Sequence, residues 1–74
     1  MIYKRIRDLR EDKDMSQAAM GVAIGVSQRT YAYYESGQRM LPPEILSALA
    51  QFHNVSADYL LELTDEKRPY PRKR

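Results

Sequence analysis

The apolar positions fall into five short groups at helical spacing, separated by glycine, proline or capping residues. Ile2, Ile6 and Leu9 stand at i, i+4 and i+7, one face of a helix over residues 2–13 whose other faces are charged. Met15 extends the same core from the turn that follows. Asp14 and Ser16 are capping types, and Ser16 is the better N-cap for a second helix, residues 17–24, with Met20 and Ile24 inward. Gly21 inside that helix costs about 1 kcal/mol relative to alanine, a cost offset if another backbone must come close. Gly25 ends the helix, because glycine reaches positive φ without steric penalty. Ser27 then caps a third helix, residues 28–36, with Tyr31 and Tyr34 on its buried face and Gly37 at its close. Pro42 and Pro43 break the chain, and Pro43 suits the first turn of a fourth helix, residues 43–53. Its apolar positions are Ile45, Leu46, Leu49, Ala50 and Phe52, and Asn54 ends it. Ser56 caps a fifth helix, residues 57–63, carrying Tyr59, Leu60 and Leu63. From Thr64 onward, Pro69, Pro71, five basic residues and a lone Tyr70 predict an unstructured tail. The pattern is that of an all-α chain.

Length narrows this further. Seventy-four residues form one domain at most. A chain of this size buries only about 60% of the surface that it exposes when unfolded. It has no cysteine and one histidine, so neither a disulfide framework nor a zinc site is expected. Apolar packing, aided by self-association, must stabilise it. No apolar run reaches the roughly 18 residues of a membrane span, and the charged start lacks the apolar stretch of a signal peptide. The expected location is therefore the cytoplasm, with no membrane partner. Charge is divided unevenly. Residues 65–74 carry +3 and residues 1–64 carry −1, so the basic character belongs to the tail. The expected organisation is a folded unit over residues 1–64 and a flexible basic tail over 65–74.

Residues 17–36 carry a sharper signal. Gly21 is at the fifth position of this unit and Gly25 at the ninth; apolar residues hold the fourth, eighth, tenth, fifteenth and eighteenth (Met20, Ile24, Val26, Tyr31, Tyr34). Two helices joined by a short turn at a steep angle need a small residue at the crossing, a glycine in the turn, and apolar positions that lock the pair onto a third helix. All these requirements are met together, as in a helix-turn-helix.

Four stretches resemble the phage Cro and lambda-type repressor family. They are Met15-Ser16-Gln17-Ala18-Ala19-Met20-Gly21, Gly25-Val26-Ser27-Gln28-Arg29-Thr30-Tyr31, Tyr34-Glu35-Ser36-Gly37, and Asn54-Val55-Ser56-Ala57-Asp58-Tyr59-Leu60-Leu61. The resemblance covers nearly all of residues 2–64. It implies a five-helix bundle whose third helix reads the major groove, and operator binding as a homodimer on a palindromic site. The chain departs from the family pattern at Ala18-Ala19, where acidic residues are usual, at Gly21, where alanine is usual, and at Tyr33, where a polar or basic side chain is common.

Site residues follow from that docking geometry. Gln28, Arg29, Ala32, Tyr33 and Ser36 lie opposite Tyr31 and Tyr34 on the third helix. Gln28 can pair bidentately with adenine, Arg29 with guanine, and Ala32 can meet a thymine methyl. Tyr33 either meets the DNA or is an ordinary surface aromatic. Gln17 opens the second helix, where free amides favour a phosphate, and the resemblance implies the same role for it. Arg10, Ser27, Ser36, Gln38 and Arg39 complete the phosphate candidates. Glu35 is expected to satisfy local donors or pair with a cation, and His53 to be a packing residue. No nucleophile–base pair, metal set or phosphate-binding glycine loop supports an enzyme, and no cofactor or small-molecule ligand is expected. The remaining alternative is a protein-binding module such as an antitoxin or antirepressor. The Gln-Arg start of the third helix, with no acidic residue before Glu35, favours DNA.

Overall fold

The computed structural model describes residues 3–69. Five helices follow one another: α1 (Lys4–Asp12), α2 (Gln17–Ile24), α3 (Gln28–Ser36), α4 (Pro43–His53) and α5 (Ala57–Leu60). Local chemistry sets most of their ends. Ser16, Ser27 and Ser56 each accept the amide three residues on, from Ala19, Thr30 and Tyr59, at 3.0–3.1 Å. Gly25 (φ 81°), Gly37 (φ 80°) and Asn54 (φ 55°) close α2, α3 and α4 in the left-handed region.

The helices wrap one core. Ile6, Met20, Tyr31, Leu49 and Leu60 are fully buried and come from all five helices. Leu9, Met15, Ile24, Val26, Ile45, Leu46, Ala50 and Tyr59 pack against them, as the apolar spacing predicts. Tyr3 and Val55, which that spacing does not single out, are also buried. The Tyr3 hydroxyl accepts the Leu41 amide, so this side chain joins the start of α1 to the loop before α4. α2 packs chiefly on α3, with α1 also resting on α3.

The structure departs from the expected pattern in four places. α1 starts at Lys4, and Ile2 lies outside the described residues. Asp14 is not a cap of α2; it takes a left-handed conformation (φ 54°) in the turn after α1. Phe52 is exposed, set edge-on to the His53 ring.

The fourth and largest departure is at the end of the fold. α5 stops at Leu60, because Glu62 turns left-handed (φ 61°) and throws Leu63 outward, 73% exposed. Local bonds close this stop: the Glu62 amide donates to the Tyr59 carbonyl (3.1 Å) and the Leu63 amide to that of Asp58 (2.9 Å). Arg5 of α1 braces it, its Nη1 donating to the carbonyls of Tyr59 (2.8 Å) and Thr64 (2.6 Å). Residues 64–67 are consequently not free of the bundle. The Ser56 amide donates to the Lys67 carbonyl (2.9 Å), and the Ser56 hydroxyl donates to that of Glu66 (3.1 Å). Arg5 and Lys67 both lie over the Tyr59 ring. Tyr70 and residues 71–74 of the expected tail lie outside the described residues.

Candidate nucleic-acid interface

The site is built on the crossing of α2 and α3. A Cβ placed on Gly21 would stand 2.7 Å from the Val26 carbonyl oxygen and 3.3 Å from the Ser27 backbone. Glycine is therefore what this turn requires, and the helix-propensity loss at Gly21 is offset by the close approach. The Val26 amide closes the turn by donating to the Gly21 carbonyl at 2.8 Å.

With Tyr31 and Tyr34 turned into the core, the opposite face of α3 points outward. Gln28 and Arg29 are exposed at its first turn. Among the described residues, neither side chain is engaged by another protein group. Ala32 and Tyr33 are half-buried one turn on, and Ser36 is exposed at the end. Ser27 and Ser36 are occupied locally. The Ser27 hydroxyl caps α3 and donates to Thr30 Oγ1 at 3.0 Å. The Ser36 hydroxyl donates to the Tyr33 carbonyl and accepts the Gln38 amide. Gln38 and Arg39 are exposed just beyond, with the Arg39 guanidinium 4.7 Å from the centre of the Tyr33 ring.

Beneath this face lies a buried polar network. Arg10 Nε and Nη2 donate to the two Glu35 carboxylate oxygens at 2.7 and 3.1 Å, while Nη1 donates to the Met15 carbonyl at 2.8 Å. Gln17 Nε2 donates to the same carboxylate at 3.2 Å. Burial by itself would raise the Glu35 pKa. The hydrogen bonds from Arg10 and Gln17, with the Arg10 charge, outweigh it and hold Glu35 below the ordinary carboxylate value. Glu35 in turn raises the Arg10 pKa. Tyr31 is driven upward, first by desolvation and then by the neighbouring carboxylate.

The predicted phosphate candidates thus divide. Arg10 spends its guanidinium inside the protein, clamping α1 to α3. Gln17 is half-buried at the start of α2, oriented by Glu35. Arg7 is not among the candidates that the sequence offers. It lines the same open groove as Gln17, Ala32 and Ser36, and its partner Glu11 is a loose 3.7 Å away. The signal was available, since Arg7 stands one helical turn before Arg10 on the same face of α1.

Two helices crossing at a glycine contact, with a free polar face on the second, form a helix-turn-helix unit. Residues 6–60 match the helix-turn-helix family model, and the chain belongs to that family. It is 33% identical over 69 residues to the uncharacterized HTH-type transcriptional regulator YobD of Bacillus subtilis, covering 93% of this chain and 62% of that one. It is 38% identical over 55 residues to the cryptic phage CTXphi transcriptional repressor RstR of Vibrio cholerae, covering 74% of this chain and 50% of that one. The chain therefore spans between half and two thirds of these relatives' lengths. A crystal structure of the P22 c2 repressor in complex with a synthetic operator is similar in fold, with a TM-score of 0.75 at 33% identity. That match covers 81% of this chain and 92% of the repressor chain.

Proposed function

We propose that the protein binds double-stranded DNA by laying α3 in the major groove, and that it regulates transcription, most simply as a repressor. The observation that carries this reading is the first turn of α3. Gln28 and Arg29 project from it unpaired and exposed, on a helix fixed by the Gly21 crossing and the Arg10–Glu35 clamp. An α-helix with its side chains is about 10–12 Å across, and a major groove about 12 Å wide admits it. In this reading Gln28 and Arg29 read base edges and Ala32 meets a thymine methyl. Arg7, Gln17, Ser27, Ser36, Gln38 and Arg39 face phosphates, using side chains or the amides beside them. Arg10 acts through Gln17 and Glu35, by holding α1 against α3. The similarity to a repressor solved on its operator supports the same docking.

The protein acts as a homodimer on a two-fold operator whose half-sites lie about one helical turn apart. The basic residues past α5 add attraction that is independent of sequence. The role is one of binding and not of catalysis, and its place is the cytoplasm, with the DNA. Selection of bound duplexes from a random pool tests the reading. It should converge on a palindrome, with footprinting showing two half-sites protected at saturation. A single protected half-site contradicts the dimer. No enrichment of any sequence contradicts DNA readout and favours a protein-binding module.

A further inference from the structure

Tyr33 and Arg39 are joined twice. The Arg39 amide donates to the Tyr33 carbonyl at 3.3 Å, and the Arg39 guanidinium lies over the Tyr33 ring at 4.7 Å from its centre. Gly37, in the left-handed conformation, makes the reversal that brings the chain back over the end of α3. Tyr33 itself is half-buried, one turn past Arg29 on the outward side of the helix. A long cationic side chain in an exposed loop ordinarily samples many rotamers, and ordering it costs free energy whenever it meets a partner. Here the aromatic face orders it in advance.

We propose that Tyr33 is a positioning residue: its ring holds the Arg39 guanidinium at the C-terminal end of α3, ready for a DNA phosphate, and Tyr33 does not itself read a base. This rests on the major-groove docking proposed above. It accounts for a bulky aromatic at a position where polar or basic side chains are common in the resembling family. The stacked pair supplies the cation from the loop instead.

A double-mutant cycle on the full chain, read as binding to a preferred and an unrelated duplex over a range of KCl concentrations, tests it. Arg39→Ala should weaken binding to both duplexes and lower the log–log salt slope by about 0.9. Tyr33→Leu should weaken both by roughly two- to five-fold, the scale of an exposed cation–π contact, with the ranking of sequences unchanged. Tyr33→Phe keeps the ring and should bind as the wild type does. In the Arg39→Ala background, Tyr33→Leu should have no further effect. Circular dichroism checks that helicity is intact, and Tyr33→Gln replaces the leucine variant if that one unfolds. A change of base preference in Tyr33→Phe, or independent and additive losses in the cycle, overturns the proposal. Binding without sequence preference overturns only the readout by Gln28 and Arg29, and the salt cycle still decides the role of the pair. A protein that binds no duplex overturns both.

Discussion

Glu35 at the end of α3 and His53 at the end of α4 are buried to nearly the same degree, 5% and 6% exposed, yet the two regions treat their polar groups in opposite ways. Glu35 is ionised inside the protein because Arg10 grips both of its oxygens and Gln17 adds a third donor. His53 has no hydrogen-bonding partner at either ring nitrogen among the described residues. Burial, aided by the charge of Lys13, drives its pKa down to about 4, so the ring is neutral. Depth of burial alone therefore does not set the ionisation state: it neutralises His53, which has no partner, and is overridden at Glu35 by three donors. The Arg10–Glu35–Gln17 network lies under the outward face of α3 and ties it to α1 and α2, whereas the His53 ring is packed at the end of α4 with no such network among the described residues.

The largest effect is expected at Glu35. Glu35→Ala leaves the Arg10 guanidinium buried without its counter-charge, which typically costs about 3–5 kcal/mol. For a domain this small that is most of the folding free energy, and thermal melts should show the variant largely unfolded near room temperature. The pair Arg10→Met with Glu35→Leu removes both charges and should regain most of the loss.

Acid sharpens the contrast, because the two residues respond in different pH windows. The folded His53 pKa lies near 4, below the 6.5 of the unfolded chain. Unfolded molecules therefore take up the proton first, and stability falls as pH drops from 6.5 towards 4. At 1.36 kcal/mol per pH unit the loss approaches about 3 kcal/mol. The lowered Glu35 pKa acts at lower pH. Its contribution is present above the unfolded value of 4.5 and disappears as pH falls through the folded value. Urea titrations of His53→Leu should abolish the upper window, leave the lower one, and show higher stability at neutral pH, since no polar ring is left buried.

Gly21 belongs to the region of the satisfied network, where geometry is tightest. Gly21→Ala should gain helix propensity but push against the Val26 carbonyl, for a net loss of about 1–2 kcal/mol in a urea midpoint series. The smallest effects belong to the segment after α5. Asp65 is 99% exposed, so Asp65→Ala should leave the melting temperature unchanged. Arg5→Ala should lower it by a few degrees, because the carbonyls of Tyr59 and Thr64 lose a shared donor.

Much of this was legible in the chain. Serine caps and closing glycines mark both ends of α2 and α3 correctly, because capping is local chemistry that a few residues decide. The end of α5 was not legible, since the left-handed closing position is taken by Glu62 rather than a glycine, and the Arg5 contacts that brace it come from more than fifty residues away in sequence. Leu63 has helical spacing with Tyr59 and Leu60 but follows the left-handed Glu62 and is turned outward. Arg10 reads in the sequence only as a phosphate candidate, for a similar reason. Its cationic side chain suits a phosphate equally well, and only the tertiary structure brings Glu35 against it. The outward placement of Gln28 and Arg29 followed directly from Tyr31 and Tyr34 being core.

Base reading by those two side chains is what the proposed docking of α3 requires. The direct measurement is competition binding of Gln28→Ala and Arg29→Ala against every single-base variant of the selected duplex, with helicity checked alongside. Each variant should lose about 1–3 kcal/mol on the preferred site and relax its preference at one base pair. An unchanged preference in both, with the fold intact, would contradict major-groove readout by α3.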